Sequence, residues 1–321
     1  MKKHPEPKQL FLDRMKELLG EKEVEVYLKI LEQEPIKSIR CNTIKISAEE
    51  LKKRLIEKSW KVSQPWKCNP EVMIINSDLL PGELGNALEH LLGYYYIQEL
   101  ASMLPLIALN PQSKEFVLDL CASPGSKTTQ ASALMKNSGL IIANEISLRR
   151  IKILSSNLER CGVCNAIITR KEGVAACERL KKFYPELKFD KILIDAPCSG
   201  EGTLRSTPKN YLMWNINTIK QLSGLQKKMV AAAVELLKIG GELVYSTCTH
   251  APEENEEIVD FILRNFPDMK IQNLKLPIKS RKGITEWLGK KYLKETENSC
   301  RIYPQDNNTE GFFLAKFRRV K

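Results

Sequence analysis

From Lys114 onward the chain alternates apolar runs with amphipathic stretches, and that rhythm leaves few folds open. The runs Phe116–Cys121, Leu140–Glu145, Ala166–Thr169, Ile192–Asp195 and Glu242–Ser246 read as strands buried on both faces, being rich in Ile, Leu and Val. Helical spacing fills the intervals over Ser126–Met135, Ser147–Arg160, Val174–Phe183 and Ile219–Leu237. Strand, helix, strand in repetition implies right-handed crossovers and an α/β domain built on a doubly wound, mostly parallel sheet. Ile271–Leu274 and Phe312–Phe317 are expected to add strands at the sheet edge. Ligands of such sheets bind beyond the carboxyl ends of the strands.

The chain before this region has a different pattern. Residues 8–32 show helical spacing with a break at Gly20. Ser38–Ile44 reads as a strand, and Ser47 with Glu50 opens a helix to about Lys58 as a capping box. Short strands near Trp60–Ser63 and Val72–Ile75 complete a compact α+β unit. Leu84–Leu109, with its run Tyr94–Tyr96, is expected to be a helical connector. Those tyrosines could stack bases, but core packing is the more economical reading. The expected division is an N-terminal RNA-binding-like unit with its connector, 1–109, and a catalytic domain, 110–321.

No apolar stretch approaches the roughly 18 to 20 residues that span a bilayer, and no apolar signal core follows Met1. A cytoplasmic protein without membrane contact is expected. Nine cysteines lacking framework spacing read as reduced thiols. Cys161 and Cys164 form a lone Cys-x-x-Cys, and His4, His90 and His250 are the only histidines, so a helix end and loop is expected there rather than a metal site. The formal charge is +11, and residues 111–321 hold all of it, with 34 Lys and Arg against 23 Asp and Glu. Lys270–Lys294 carries eight basic residues and one acid, Glu286. Such a segment suits a polyanion such as nucleic acid, although a solvated surface would look the same.

Four strand ends carry the chemistry. The first continues as Leu118-Asp-Leu-Cys-Ala-Ser-Pro-Gly-Ser-Lys-Thr128, a turn of small residues entering a helix. It matches neither the P-loop nor the Gly-x-Gly-x-x-Gly pattern. Glu145 ends the next strand about twenty residues later, where an acid commonly accepts from a ribose diol. Turn and acid suggest a nucleoside cofactor without pyrophosphate, which S-adenosylmethionine fits. The fourth strand runs into Asp195-Ala-Pro-Cys-Ser-Gly200, and the fifth into Tyr245-Ser-Thr-Cys-Thr249. Methylation of an exocyclic amine on this scaffold tends to use Asn/Asp-Pro-Pro-Tyr/Phe at the fourth position. A thiol there argues for methylation at carbon. Cytosine C5 is a poor nucleophile until a thiolate adds to C6, and the base must be unpaired or flipped to be reached. The competing reading is that Cys198 and Cys248 fill core space, as free cysteines often do.

On these motifs the chain resembles the Sun-type (Fmu/NSUN) RNA (cytosine-5-) methyltransferases, and among them an archaeal-type tRNA enzyme. The resemblance covers most of the chain. It takes in Arg40-Cys-Asn-Thr43, Gly93 through Gln98-Glu-Leu-Ala-Ser102, Cys121–Lys127, Glu145, Asp195-Ala-Pro-Cys198, Ser246-Thr-Cys-Thr249 and the stretch Arg301 to Gly311-Phe-Phe-Leu-Ala-Lys316. It implies a Rossmann-like S-adenosylmethionine domain, RNA, and among RNAs tRNA, as substrate, no metal and no obligate protein partner. Ribosomal RNA, or binding without turnover, are the alternatives. By the same resemblance Cys248 attacks C6, Cys198 assists release, Asp195 holds the N3 edge near the cofactor, and Lys127 lies near both ligands. The residues Cys121, Ala122, Ser123, Pro124, Gly125, Ser126 and Lys127 would wrap the cofactor. Glu145 would take its ribose, Arg150 would support that end, and Glu172 would meet the adenine amine. Ser126 stands where many members have Gly, and Glu172 where Asp is commoner. DNA cytosine-5 enzymes resemble the mechanism but use the Pro-Cys thiol and lack the Thr-Cys.

Overall fold

The computed structural model describes residues 6–321, so Met1 and His4 lie outside it. Helices α1 (Gln9–Leu19) and α2 (Glu21–Leu31) are separated at Gly20, whose φ of 81° ends the first. Their apolar faces pack through Phe11, Met15 and Tyr27 against Leu204, Tyr211, Trp214 and Ile219, far along the chain. A small antiparallel sheet follows, of β1 (Ser38–Cys41), β2 (Val62–Ser63), β3 (Val72–Ile75) and a fourth strand. Helix α3 (Ala48–Glu57) covers it, capped by Ser47, which accepts from the Glu50 N–H at 3.1 Å. Glu50 turns its carboxylate to Arg54, so only half of the capping box forms.

The segment Leu84–Leu109 is not helical throughout. Short helices α4 (Glu83–Asn86) and α5 (Leu88–Leu91) lead into β4 (Tyr95–Ile97), which pairs with β1, and only then into α6 (Leu100–Leu109). Aromatic residues suit a half-buried pleat, and the open edge of β1 recruits them. Tyr95 is fully buried and Tyr96 nearly so, with Arg40 and Arg160 over the Tyr96 ring.

The large sheet contains β5 (Phe116–Asp119), β6 (Leu140–Asn144), β7 (Ala166–Thr169), β8 (Phe189–Asp195) and β9 (Leu237–Thr247) in the order β7-β6-β5-β8-β9, all parallel. Helices α7 (Ser126–Leu134), α8 (Leu148–Cys161) and α9 (Gly173–Phe183) link the first four strands, and α10 (Asn210–Met213) with α11 (Ile216–Val234) links the last two. After β9 come α12 (Glu256–Asn265), β10 (Met269–Gln272), β11 (Arg281–Lys282), the β12–β13 pair (Glu286–Trp287, Lys290–Lys291), β14 (Cys300–Ile302), α13 (Pro304–Asn307) and β15 (Phe312–Arg319). The sequence patterns leave α12 unassigned. β15 is not an edge strand as expected. It runs antiparallel between β9 and the strands β14 and β10.

Strand alternation sends Val117, Leu193, Val244 and Leu314 to a core under α6 and α7. It sends Leu118, Ile192, Tyr245 and Phe313 to the opposite core under α9, α11 and α12. Burial on both faces explains the near-continuous apolar runs. The order reverses beside β5, which opens a crevice at the carboxyl ends of β5 and β8. Arg40 ties the small sheet to this crevice, donating to the Ser126 carbonyl at 2.7 Å and to Thr129 Oγ1 at 2.8 Å.

Candidate active site

The turn after β5 enters α7 through Gly125, whose φ of 103° favours glycine and where a Cβ would lie 3.1 Å from Leu154 Cδ1. Cys121 and Ser123 line a cavity of about 310 Å3, together with Glu145, Arg150, Glu172, Asp195, Cys198 and Cys248. The other turn residues form its backing. Ala122 packs on Ala143 and Leu154, the Pro124 carbonyl accepts from Asn157, and the Ser126 carbonyl accepts from Arg40. Lys127 faces a different cavity.

Glu145 is 3% exposed; it accepts from the Ser147 N–H at 2.9 Å and pairs with Arg150 at 3.1 Å. Arg150 also donates to the Ser123 carbonyl at 2.7 Å, so it joins turn to acid. Glu172 is the N-cap of α9, accepting from the Val174 and Ala175 N–H groups, as well as part of the cavity wall. Asp119 accepts from Thr128 Oγ1 through one oxygen, while Oδ1 is buried without a partner among the described residues. Burial pushes its carboxyl up to about 6. Three acids, Glu145, Glu172 and Asp195, line the cavity beside two cations, Arg150 and Lys171, an acceptor-rich lining that suits a hydroxyl-bearing ligand.

β8 and β9 are neighbours, with Asp195 beside Ser246 in register. Ser246 Oγ donates to Asp195 Oδ1 at 2.8 Å, and Lys127 Nζ lies 2.7 Å from Oδ2. Lys127 is 7% exposed; it also donates to Ser102 Oγ at 3.0 Å and lies 5.5 Å from the centre of the Phe312 ring. Just past the strand ends the Cys198 and Cys248 sulfurs are 3.2 Å apart, and the Cys248 N–H points at Cys198 Sγ at 3.3 Å. The hydrogen bond to Cys248 and then burial push the Cys198 thiol well above its usual range.

A second cavity, about 480 Å3, opens on the other side of Asp195. Lys127, Cys248, Glu310 and Phe312 line it from the large sheet, and Pro35–Ser38 and Ile97–Glu99 from the N-terminal side. Asp195, Ala196 and Cys248 border both cavities, whereas Cys198 borders only the first. A larger cavity, about 610 Å3 under β7 and α9, touches the first through Asn144 and Lys171 but holds neither thiol nor Asp195. Chemistry, not size, identifies the site.

Sequence patterns miss several supporting residues. Gly202 lies against Gly311 behind Cys248: a Cβ on Gly202 would sit 2.2 Å from the Gly311 carbonyl, and the Gly202 N–H donates to the Cys248 carbonyl at 2.9 Å. Glu254 and Asn255 are fully buried beneath the two cysteine turns. Only the run of polar residues before an apolar helix signals them. The helix-end reading of Cys161 holds, since α8 stops there and Gly162 is left-handed. Among the described residues no cluster of His, Cys, Asp and Glu could hold a metal, and no helix is long and apolar enough to cross a membrane. Within the basic segment Lys279, Arg281, Lys282 and Lys290 are ion-paired, which leaves four of the eight, Lys270, Lys275, Lys291 and Lys294, without an acid among the described residues.

Residues 106–318 match the family described as 16S rRNA methyltransferase RsmB/F, and residues 7–100 match the N-terminal domain of 16S rRNA methyltransferase RsmF. The chain is 43% identical to a tRNA (cytosine(49)-C(5))-methyltransferase of Pyrococcus abyssi, over 88% of each chain. It is 40% identical to the ribosomal RNA small subunit methyltransferase F of Vibrio cholerae, over 90% of this chain but only 59% of that protein's length. The crystal structure of a methyltransferase homolog protein from Pyrococcus horikoshii superposes with a TM-score of 0.84 at 35% identity, covering 97% of this chain and 95% of that one. That of NSun6 from Pyrococcus horikoshii with SFG gives 0.83 at 26% identity, covering 98% of both. The chain belongs to the RsmB/F, or Sun-type, family and is a methyltransferase.

Proposed function

We propose that this protein methylates C5 of cytosine in RNA, with S-adenosylmethionine as donor and tRNA as substrate, through a covalent Cys248–C6 intermediate. The observation that carries this reading is the meeting of two cavities at Asp195 and Cys248, with a second thiol 3.2 Å away. One cavity suits the cofactor and the other an extruded base. When bound in the first, S-adenosylmethionine supplies an electrophilic methyl group. Cys121 and Ser123 would hold its methionine end, Glu145 its ribose diol, and Glu172 its adenine side, with Arg150 fixing Glu145.

Cys248 borders both cavities, so its sulfur can reach C6 of a base whose C5 faces the cofactor side. Cys248 attacks as a thiolate after giving its proton to water; addition forms the S–C6 bond and breaks the C5–C6 π bond, whose electrons make C5 nucleophilic. Asp195 holds the N3 edge where charge changes during addition, and Lys127 with Ser246 fixes both of its oxygens. After methyl transfer the C5 proton passes to water, and its bonding pair re-forms the C5–C6 double bond as the C6–S bond breaks and Cys248 leaves as a thiolate. Cys198, 3.2 Å from Cys248, is in reach to donate an S–H hydrogen bond to that departing sulfur.

The 43% identity to the tRNA enzyme, over 88% of both chains, supports tRNA as the substrate. RNA would be positioned by the N-terminal unit, 1–109, whose residues wall the base-side cavity, and by the lysines of 270–294 that meet no acid among the described residues. The test incubates the protein and labelled cofactor with transcribed tRNA and with a small-subunit ribosomal RNA fragment. Labelled 5-methylcytidine in tRNA is expected. Label in the ribosomal fragment alone overturns the tRNA reading, and label at another atom overturns the chemistry.

A further inference from the structure

After Thr249 the chain turns beneath the thiols and presents Glu254, Asn255 and Glu256, three consecutive polar residues with no exposed surface. Buried polar groups persist only when hydrogen-bonded, so their partners show what they hold. Glu256 pairs with the buried Arg301 of β14 and accepts from the Ile284 N–H, bonding directly to neither cysteine turn. The other two reach the reaction site.

Glu254 accepts the N–H of Ser199, the residue after Cys198, at 3.1 and 3.3 Å on its two oxygens. Gln226 steadies the same turn, with Nε2 2.9 Å from Glu254 Oε2 and 2.9 Å from the Pro197 carbonyl. Asn255 grips both neighbours of Cys248. Its Oδ1 accepts from Thr247 Oγ1 at 2.6 Å, and its Nδ2 donates to the Thr249 carbonyl at 2.9 Å. The Ser199 and Thr249 hydroxyls, 2.7 Å apart, join the two turns above. Asn255 also occupies the N-cap of α12, where asparagine is among the favoured residues, yet it makes no side-chain cap bond to that helix. Its side chain is committed to the Cys248 turn instead.

We propose that Glu254 and Asn255 are positioning residues that act as one clamp. Asn255 sets where Cys248 attacks, and Glu254 sets where Cys198 meets the departing sulfur. Because they are adjacent in the backbone, the two turns cannot shift independently. This inference rests on the two-thiol reading above. A misplacement near 1 Å at a reacting atom costs about 100-fold in rate, so loss of either grip is expected to slow one step strongly.

The test is single-turnover kinetics with tRNA, following formation and breakdown of the denaturant-resistant protein–RNA adduct. Asn255→Ala is expected to slow formation by roughly 10- to 100-fold and leave breakdown within about twofold. Glu254→Ala is expected to do the reverse, and Glu254→Gln, which keeps an acceptor for the Ser199 N–H, to restore most of the breakdown rate. If an alanine variant fails to fold, Thr247→Val, which removes one bond to Asn255, and Gln226→Leu, which removes the bonds to Glu254 and to the Pro197 carbonyl, predict the same split with smaller effects. Equal slowing of both steps, or rates that merely follow the melting temperature, overturns the clamp. An adduct that forms normally in Cys248→Ala overturns the two-thiol reading instead, and the clamp with it.

Discussion

The turns bearing Cys198 and Cys248 look alike in sequence and differ in position. Each follows a buried apolar strand, and those strands are neighbours in parallel register. Yet Cys248 borders both cavities and Cys198 only the cofactor side. Like residues at like strand ends thus differ in surroundings, since only Cys248 borders the second cavity, and the proposed roles follow that difference.

The largest effect that could break this asymmetry is at Cys248. Cys248→Ala is expected to lower methyl transfer by at least about 1,000-fold, as removal of a nucleophile does, while equilibrium binding of the cofactor is unchanged. Cys198→Ala is expected to lower turnover by about 100-fold and to accumulate a slow band on a denaturing gel that contains both protein and RNA. A band that accumulates in the Cys248 variant alone would exchange the roles.

Smaller effects sharpen the surroundings. Glu145→Ala should weaken cofactor binding about tenfold by calorimetry, through a lost charge-assisted hydrogen bond. Gly202→Ala should lower stability by about 1–3 kcal/mol in denaturant titration, since its Cβ has no space against the Gly311 carbonyl. The smallest is a pH effect at Glu254, whose carboxyl burial pushes up to about 7. Its folded value lies above the unfolded one, so the folded state binds more protons and stability falls as pH rises from about 4.5 to 7. Glu254→Gln removes that loss. The melting temperature of the variant relative to the native chain should therefore be higher at pH 8 than at pH 5.

The parallel strands and both thiol turns were legible because local composition determines them. A strand buried on two faces must be apolar throughout, and a ligand turn must be small. What escaped depends on distant partners. Tyr95–Ile97 become a strand only because β1 offers an edge, and Phe312–Arg319 lie inside the sheet because β14 and β10 return to flank them. The basic segment loses half of its free charge to acids far along the chain, such as Glu23 and Glu257. Glu254 and Asn255 carry no motif of their own, and their meaning appears only when the Cys198 turn folds over them.

The central claim is that Cys248, not Cys198, forms the bond to the base. A tRNA carrying 5-fluorocytosine at the target position should trap the native protein, because fluorine cannot leave C5 as the proton does. Protease digestion and mass spectrometry then identify the linked peptide. The account predicts RNA on the peptide bearing Cys248, and RNA on the peptide bearing Cys198 would contradict it.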